Sequence, residues 1–180
     1  MSKAKGSEFE RKIAGIMNKA FIEHTGLDKA FIRNIHSGAW YGGKNAHRAE
    51  GVGDKDLNTG DITTPLDFIY TIECKHYKSP PAFKGFIDGK VSQWDTWIDQ
   101  TEQDSATSGR SSMLIIKYNL VSEIAMIRKD DSALLKDKKL NPIQPLFLFE
   151  SKNHGTWYAY NFNRLIAETH ISSWFNINLD

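Results

Sequence analysis

A chain of 180 residues, 40% apolar and 25% charged, has enough material for one domain with its own hydrophobic core. It contains no run of about 18 apolar residues, so no transmembrane helix is expected. Its single cysteine, Cys74, excludes an internal disulfide framework and a four-cysteine zinc site. The net charge is only +1, so any contact with nucleic acid has to come from a local patch rather than a general basic excess. Residues 1–60 lean basic, with ten Lys/Arg against seven Asp/Glu. The opening residues MSKAKGSEFERKIAG lack the apolar stretch of a secretory signal, and a cytoplasmic setting is expected.

Phe9, Ile13, Ile16, Met17, Ala20 and Phe21 recur at spacings of three and four, which predicts a helix over 7–24. Ser7 is its expected N-cap and Gly26 its stop. A short strand is expected at 31–35. Residues 37–60 hold six glycines with Lys44, His47, Arg48 and Lys55 between them, a pattern that predicts a long mobile loop. A hairpin follows: strand 61–64, a turn at Pro65-Leu66-Asp67, and a β-branched and aromatic strand over 68–75. After Ser79-Pro80-Pro81 a helix is expected over 88–103, with Val91, Trp94, Trp97 and Ile98 on one face. Two strands are expected at 112–118 and 123–128, then a hairpin over 145–162 turning at 152–155, and a short helix near 164–170. No repeat or low-complexity segment interrupts the chain. The order of elements predicts an α/β fold in which a sheet packs between helices.

Chemistry concentrates at Ile72-Glu73-Cys74-Lys75. Side chains along a strand alternate faces, so Glu73 and Lys75 share one face while Cys74 joins Tyr70 and Ile72 on the other. A turn centred on Leu66–Asp67 brings Asp61 across to Glu73. Two carboxylates that close repel unless something positive lies between them. Mg²⁺ suits this, because it takes oxygen ligands and typically one or two carboxylates. The Cys74 backbone carbonyl offers a further oxygen. Lys75 is placed to orient water or to offset charge on an attacked phosphate.

Asp61, an eleven-residue gap and then Glu73-Cys74-Lys75 resembles the PD-(D/E)XK nuclease signature, with Gly60 where that family has its proline. Within it the chain is most similar to archaeal-type Holliday junction resolvases, of the kind also found in phages. The resemblance runs through Gly6-Ser7-Glu8-Phe9-Glu10-Arg11, then Arg33, Ser37-Gly38-Ala39, Asp61, Ile72-Glu73-Cys74-Lys75, Gln93 and Lys117. It covers residues 6–118, and residues 119–180 read as a C-terminal extension of a single nuclease domain. It implies a restriction-endonuclease-like core with a central mixed β-sheet flanked by helices. It also implies a homodimer that nicks branched DNA, a four-way junction, by means of a metal-bound water. Asp61, Glu73 and the Cys74 carbonyl are then the Mg²⁺ ligands, with Mn²⁺ a possible substitute. Lys75 is the catalytic lysine, Glu10 a further acid reaching in from the first helix, Ser37 a group on the scissile phosphate and Gln93 a supporting polar residue. Arg33, Lys44, Arg48 and Lys117 are the expected DNA contacts.

Several residues keep a second reading. Ser7-x-x-Glu10 also fits a capping box, in which Glu10 bonds back to the Ser7 amide. Ser37 also suits a turn before glycine, and Gln93 a solvated helix position. Asp54, Asp56 and Asp67 each compete with Asp61. His76 beside the triad could act as a base, or simply be solvated at a strand end. The six histidines show no zinc-ligand spacing, and Trp40-Tyr41-Gly42-Gly43-Lys44 lacks the Walker pattern. Trp94 and Trp97 fit core or dimer contacts. Two other functions remain open: a restriction-like or repair endonuclease on other DNA, and a non-catalytic DNA-binding module. The intact Asp61, Glu73 and Lys75 argue against the second.

Overall fold

The computed structural model describes residues 3–34, 59–89 and 91–176. Helix α1 (Lys3–Thr25) leads into the two-residue strand β1 (Ile32–Arg33). After β2 (Ile62–Thr63) come β3 (Tyr70–Tyr77), the short helix α2 (Phe83–Ile87), α3 (Ser92–Ser108), β4 (Ser111–Tyr118) and β5 (Ile124–Arg128). The chain then forms β6 (Phe147–Ser151), β7 (Gly155–Asn161) and α4 (Phe162–Glu168). Among the described residues no helix is long and apolar enough to cross a membrane.

Five strands form one mixed sheet in the order β3-β4-β5-β7-β6. β3 and β4 run parallel, joined by the α3 crossover, and the remaining pairs are antiparallel. The expected α/β architecture, a mixed sheet flanked by helices, is therefore the one observed. Residues beyond 118 are integral to it, since they supply β5, β7 and β6.

The interior strand β4 is buried on both sides, and its alternation divides the core in two. Met113 and Ile115 join Tyr70, Ile72 and Cys74 against Phe9, Ile13, Met17 and Phe21 of α1. Leu114, Ile116 and Tyr118 face Trp94, Trp97 and Ile98 of α3. Trp94 is pinned there by a hydrogen bond from its indole Nε1 to the Tyr118 hydroxyl at 2.8 Å. The second core thereby fixes how α3 lies across β3.

The structure departs from the sequence expectations at several boundaries. α1 begins at Lys3, so Ser7 lies inside the helix and is no N-cap; Ala20, expected on the buried face, is exposed. Gly26 does end the helix, with φ +64° and its amide donating to the Ile22 carbonyl at 2.9 Å. Of the strand expected at 31–35, Ile32–Arg33 forms β1, and residue 35 lies outside the described residues. Asp61–Thr64 forms no ladder back onto β3. Its strand, β2, pairs with β1 instead, antiparallel, with Ile32 opposite Thr63. β3 starts and ends two residues later than expected, the helix expected over 88–103 runs instead over Ser92–Ser108 as α3, and the short α2 before it was not expected. The last helix starts at Phe162, capped by the Asn161 side chain, which accepts from the Arg164 amide. The loop expected over 37–60 lies outside the described residues apart from its last two.

Candidate active site

β3 is an edge strand of the large sheet, and Asp61 completes its outer rim. The Asp61 amide donates to the Ile72 carbonyl at 2.8 Å, and its carboxylate Oδ2 accepts from the Cys74 amide at 2.9 Å. A side-chain oxygen thus takes the place of a ladder carbonyl and fixes Asp61 beside Glu73. Gly60 makes this approach possible. It sits at φ +72°, and a Cβ there would stand 2.5 Å from the Ile72 carbonyl oxygen. On the other flank the Asn34 amide donates to the Asp61 carbonyl at 2.8 Å, and the Asn34 side chain donates to the Gly60 carbonyl at 3.1 Å.

Glu73 and Lys75 share the face of β3 turned toward α3, and they form an ion pair. Cys74 points the opposite way into the α1 core. Facing them, α3 presents residues at steps of four. The Lys75 Nζ donates to Gln100 Oε1 at 2.9 Å, and the hydroxyls of Thr71 and Ser108 are bonded at 2.5 Å. A strand step of two residues, about 6.6 Å, nearly matches a helix step of four, about 6 Å. The middle rung therefore sets Glu73 opposite Asp104.

Glu10 enters from α1. Its carboxylate accepts from Arg33 Nε at 2.5 Å, so the capping-box alternative is not realised. Arg33 is accordingly ion-paired at the edge of the site rather than extended into solvent.

The electrostatics follow from crowding acids into a dry corner. Glu73 is 1% exposed; burial, and next the Asp61 charge, push its carboxyl well above the usual range, against the pull of Lys75. Burial also raises Glu10, with Arg33 opposing and Asp61 adding to the rise. Asp104 is pushed up to about 6 by burial and then by Asp61. Lys75 loses basicity to burial, but its pairing with Glu73 more than restores it and leaves it raised. The corner holds more negative charge than its lysine and arginine comfortably balance.

Glu10, Asp61, Glu73 and Lys75 are thus brought together. Gln93 stands on α3 about 10 Å toward the helix N-terminus from Gln100, which is the residue that meets Lys75. Lys117, across from His76 in the β3–β4 register, is tied to the Val121 carbonyl at 2.5 Å and to Glu123 at 3.2 Å. His76 lies on the α1 side of β3, against Phe9, with its Nε2 at 3.2 Å from Asn119 Oδ1. Asp67 is exposed in its turn, 3.4 Å from His24. Ser37, Lys44, Arg48, Asp54 and Asp56 lie outside the described residues. The sequence reading missed Gln100 and Asp104. The usable signal was the buried run Trp97, Ile98 and Thr101, which leaves 100 and 104 as the polar positions beside it.

The chain matches, over residues 1–173, the family described as "Phage putative PDDEXK endonuclease". No curated protein and no solved structure matches it. With almost the whole length matched, the chain belongs to that family of PD-(D/E)XK endonucleases.

Proposed function

We propose that this family member is a Mg²⁺-dependent, structure-specific DNA endonuclease that cuts four-way junctions as a homodimer. The observation that carries the nuclease reading is the convergence of Asp61, Glu73 and Lys75 around two residues of β3, with Asp61 locked to the Cys74 amide. The preference for a junction draws on the resemblance through residues 6–118, and the homodimer on the need for two symmetric nicks.

The donor set fits a hard divalent ion. Asp61 and Glu73 are oxygen donors whose mutual repulsion such an ion offsets, and the Cys74 carbonyl adds a neutral oxygen. Among the described residues no three acidic, histidine or cysteine side chains close on one point, a pattern compatible with an ion that leaves most positions to water and phosphate. Mg²⁺, or Mn²⁺ in its place, polarises a phosphoryl oxygen and makes water more acidic when bound. Lys75, held between Glu73 and Gln100, keeps its ammonium charged and aimed at the space where negative charge grows on the attacked phosphate. Glu10, restrained by Arg33, supplies a further acid at the rim.

The test is a cleavage assay with Mg²⁺ on matched four-way-junction and linear-duplex DNA. Paired symmetric nicks in the junction alone are expected. Equal cutting of both would keep the site and move the substrate to linear or damaged DNA, as in a restriction-like or repair enzyme. Cutting of neither with Mg²⁺ or Mn²⁺ would favour a DNA-binding module. Glu73→Gln is expected to abolish cleavage and leave junction binding intact.

A further inference from the structure

Directly after the strand that carries Glu73 and Lys75, the chain presents two large apolar side chains to solvent. Phe83 is 77% exposed and Ile87 71%. They lie four apart on α2 and so share a face. Between them Phe86 turns back onto Trp94, with ring centroids 5.0 Å apart at 78°. Trp94 is itself bonded to Tyr118 in the second core. The exposed pair is therefore tied through Phe86 to the second core.

The segment that carries this knob leans basic, between Glu73 on one side and Asp88 on the other. From Cys74 to Ile87 the sequence contains Lys75, Lys78 and Lys84 and no acid. Lys78 is exposed, and among the described residues Lys84 pairs across the surface with Asp88, an exposed contact easily exchanged for phosphate. Another apolar edge, at Leu146 and Leu148, has no Lys or Arg closer in sequence than Lys139 and Lys152. Phe83 is eight residues beyond Lys75, a reach of at most about 27 Å, or roughly eight base pairs of duplex.

We infer that α2 is a base-stacking wedge. Phe83 and Ile87 pack against a base face left open where DNA stacking is interrupted, near the phosphate held at Lys75, while Lys78 and Lys84 take flanking phosphates. Apolar side chains set against unstacked bases, with cations on the adjoining backbone, recur in proteins that recognise distorted or single-stranded DNA. This inference rests on the nuclease reading and makes the wedge the element that separates branched from linear DNA.

The experiment measures binding of the full chain, in EDTA, to a fluorescent four-way junction and to the matching linear duplex across a salt series. The double variant Phe83→Ala/Ile87→Ala is expected to lose about tenfold in junction affinity with duplex affinity and salt slope unchanged. Lys78→Ala/Lys84→Ala is expected to weaken both and to lower the slope by about 1–2. Both pairs are exposed, so the melting temperature should hold, and it is checked. Unchanged junction affinity in the apolar variant overturns the wedge while leaving the nuclease reading to the cleavage assay. Wild-type protein that binds neither DNA overturns both. Conversion of a dimer to a monomer by the apolar variant also overturns the wedge, in favour of a contact between copies of this chain.

Discussion

The Asp61 carboxylate accepts the Cys74 backbone amide at 2.9 Å, so the residue proposed to hold the metal also closes the edge of the strand that carries Glu73. This dual role separates two substitutions. Asp61→Asn keeps an oxygen for the Cys74 amide and is expected to abolish cleavage with little change in stability. Asp61→Ala leaves a buried donor unpaired and is expected to cost a further 1–3 kcal/mol or so. Urea denaturation of the two variants beside cleavage assays checks this; equal stability would show that the bond holds nothing in place.

Gly60 stands where the wider family carries proline, and the structure gives the reason. Proline fixes φ near −65°, whereas Gly60 lies at +72° with the Ile72 carbonyl 2.5 Å from where a Cβ would sit. Gly60→Ala is expected to destabilise by about 1–2 kcal/mol from backbone strain alone, and by more through the clash. It should also displace Asp61 and cut activity. Gly15→Ala, in the middle of α1 with open space around it, is the control and should stabilise by about 0.5–1 kcal/mol. Melting temperatures that move the same way in both would refute the assignment.

Much of the site could be read in advance because it depends on a local period. Alternation along a strand placed Glu73 with Lys75 and set Cys74 in the core, and the spacing of Phe9, Ile13, Met17 and Phe21 gave the buried face of α1. What could not be read depends on long-range register. Gln93 and Gln100 are seven apart and lie on the same side of α3, so only the docking of Trp94 and Trp97 decides which one faces Lys75. Asp104 needs the same docking to meet Glu73. The pairing of β2 with β1, rather than with β3, depends on a partner thirty residues away in sequence. Helix propensity upstream of Ser7 outweighed a capping signal that was sound by itself, and Arg33 took the carboxylate the cap would have used.

Glu73 illustrates a site that costs stability. Its carboxyl is raised mainly by burial, so ionising it is unfavourable in the folded chain, and stability falls as pH climbs above the ordinary carboxylate range. Glu73→Gln removes that cost while keeping an oxygen for Lys75, which also retains Gln100. Metal-free Glu73→Gln protein is therefore expected to melt higher than wild type at pH 8, with the gap closing as pH falls toward 4.5. Thermal melts in EDTA across that range decide it. A wild type that is the more stable at pH 8 would mean the Lys75 pair outweighs burial.

Glu123 acts in the opposite direction. Its side chain, 4% exposed, accepts Lys12 of α1 at 2.5 Å and Asn163 of α4 at 3.0 Å, and pairs with Lys117 of β4 at 3.2 Å. Burial alone would raise this carboxyl. Hydrogen bonds from Lys12, its own backbone amide and Lys117 together outweigh burial and bring it down to about 2. A depressed carboxylate contributes fully above its unfolded pKa near 4.5, and that contribution is lost as pH falls toward 2. Because Lys12 is half-exposed and screened by water, the clamp is worth about 1–2 kcal/mol rather than the full shift. Glu123→Gln should be less stable than wild type by that amount at pH 7, with the gap shrinking steadily as pH falls from 4.5 to 2. Subtracting the two pH profiles isolates the clamp from the raised carboxyls at Glu10, Glu73 and Asp104, which both proteins share. A difference that persists undiminished at pH 2 would mean that packing, and not charge, holds α1, β4 and α4 together there.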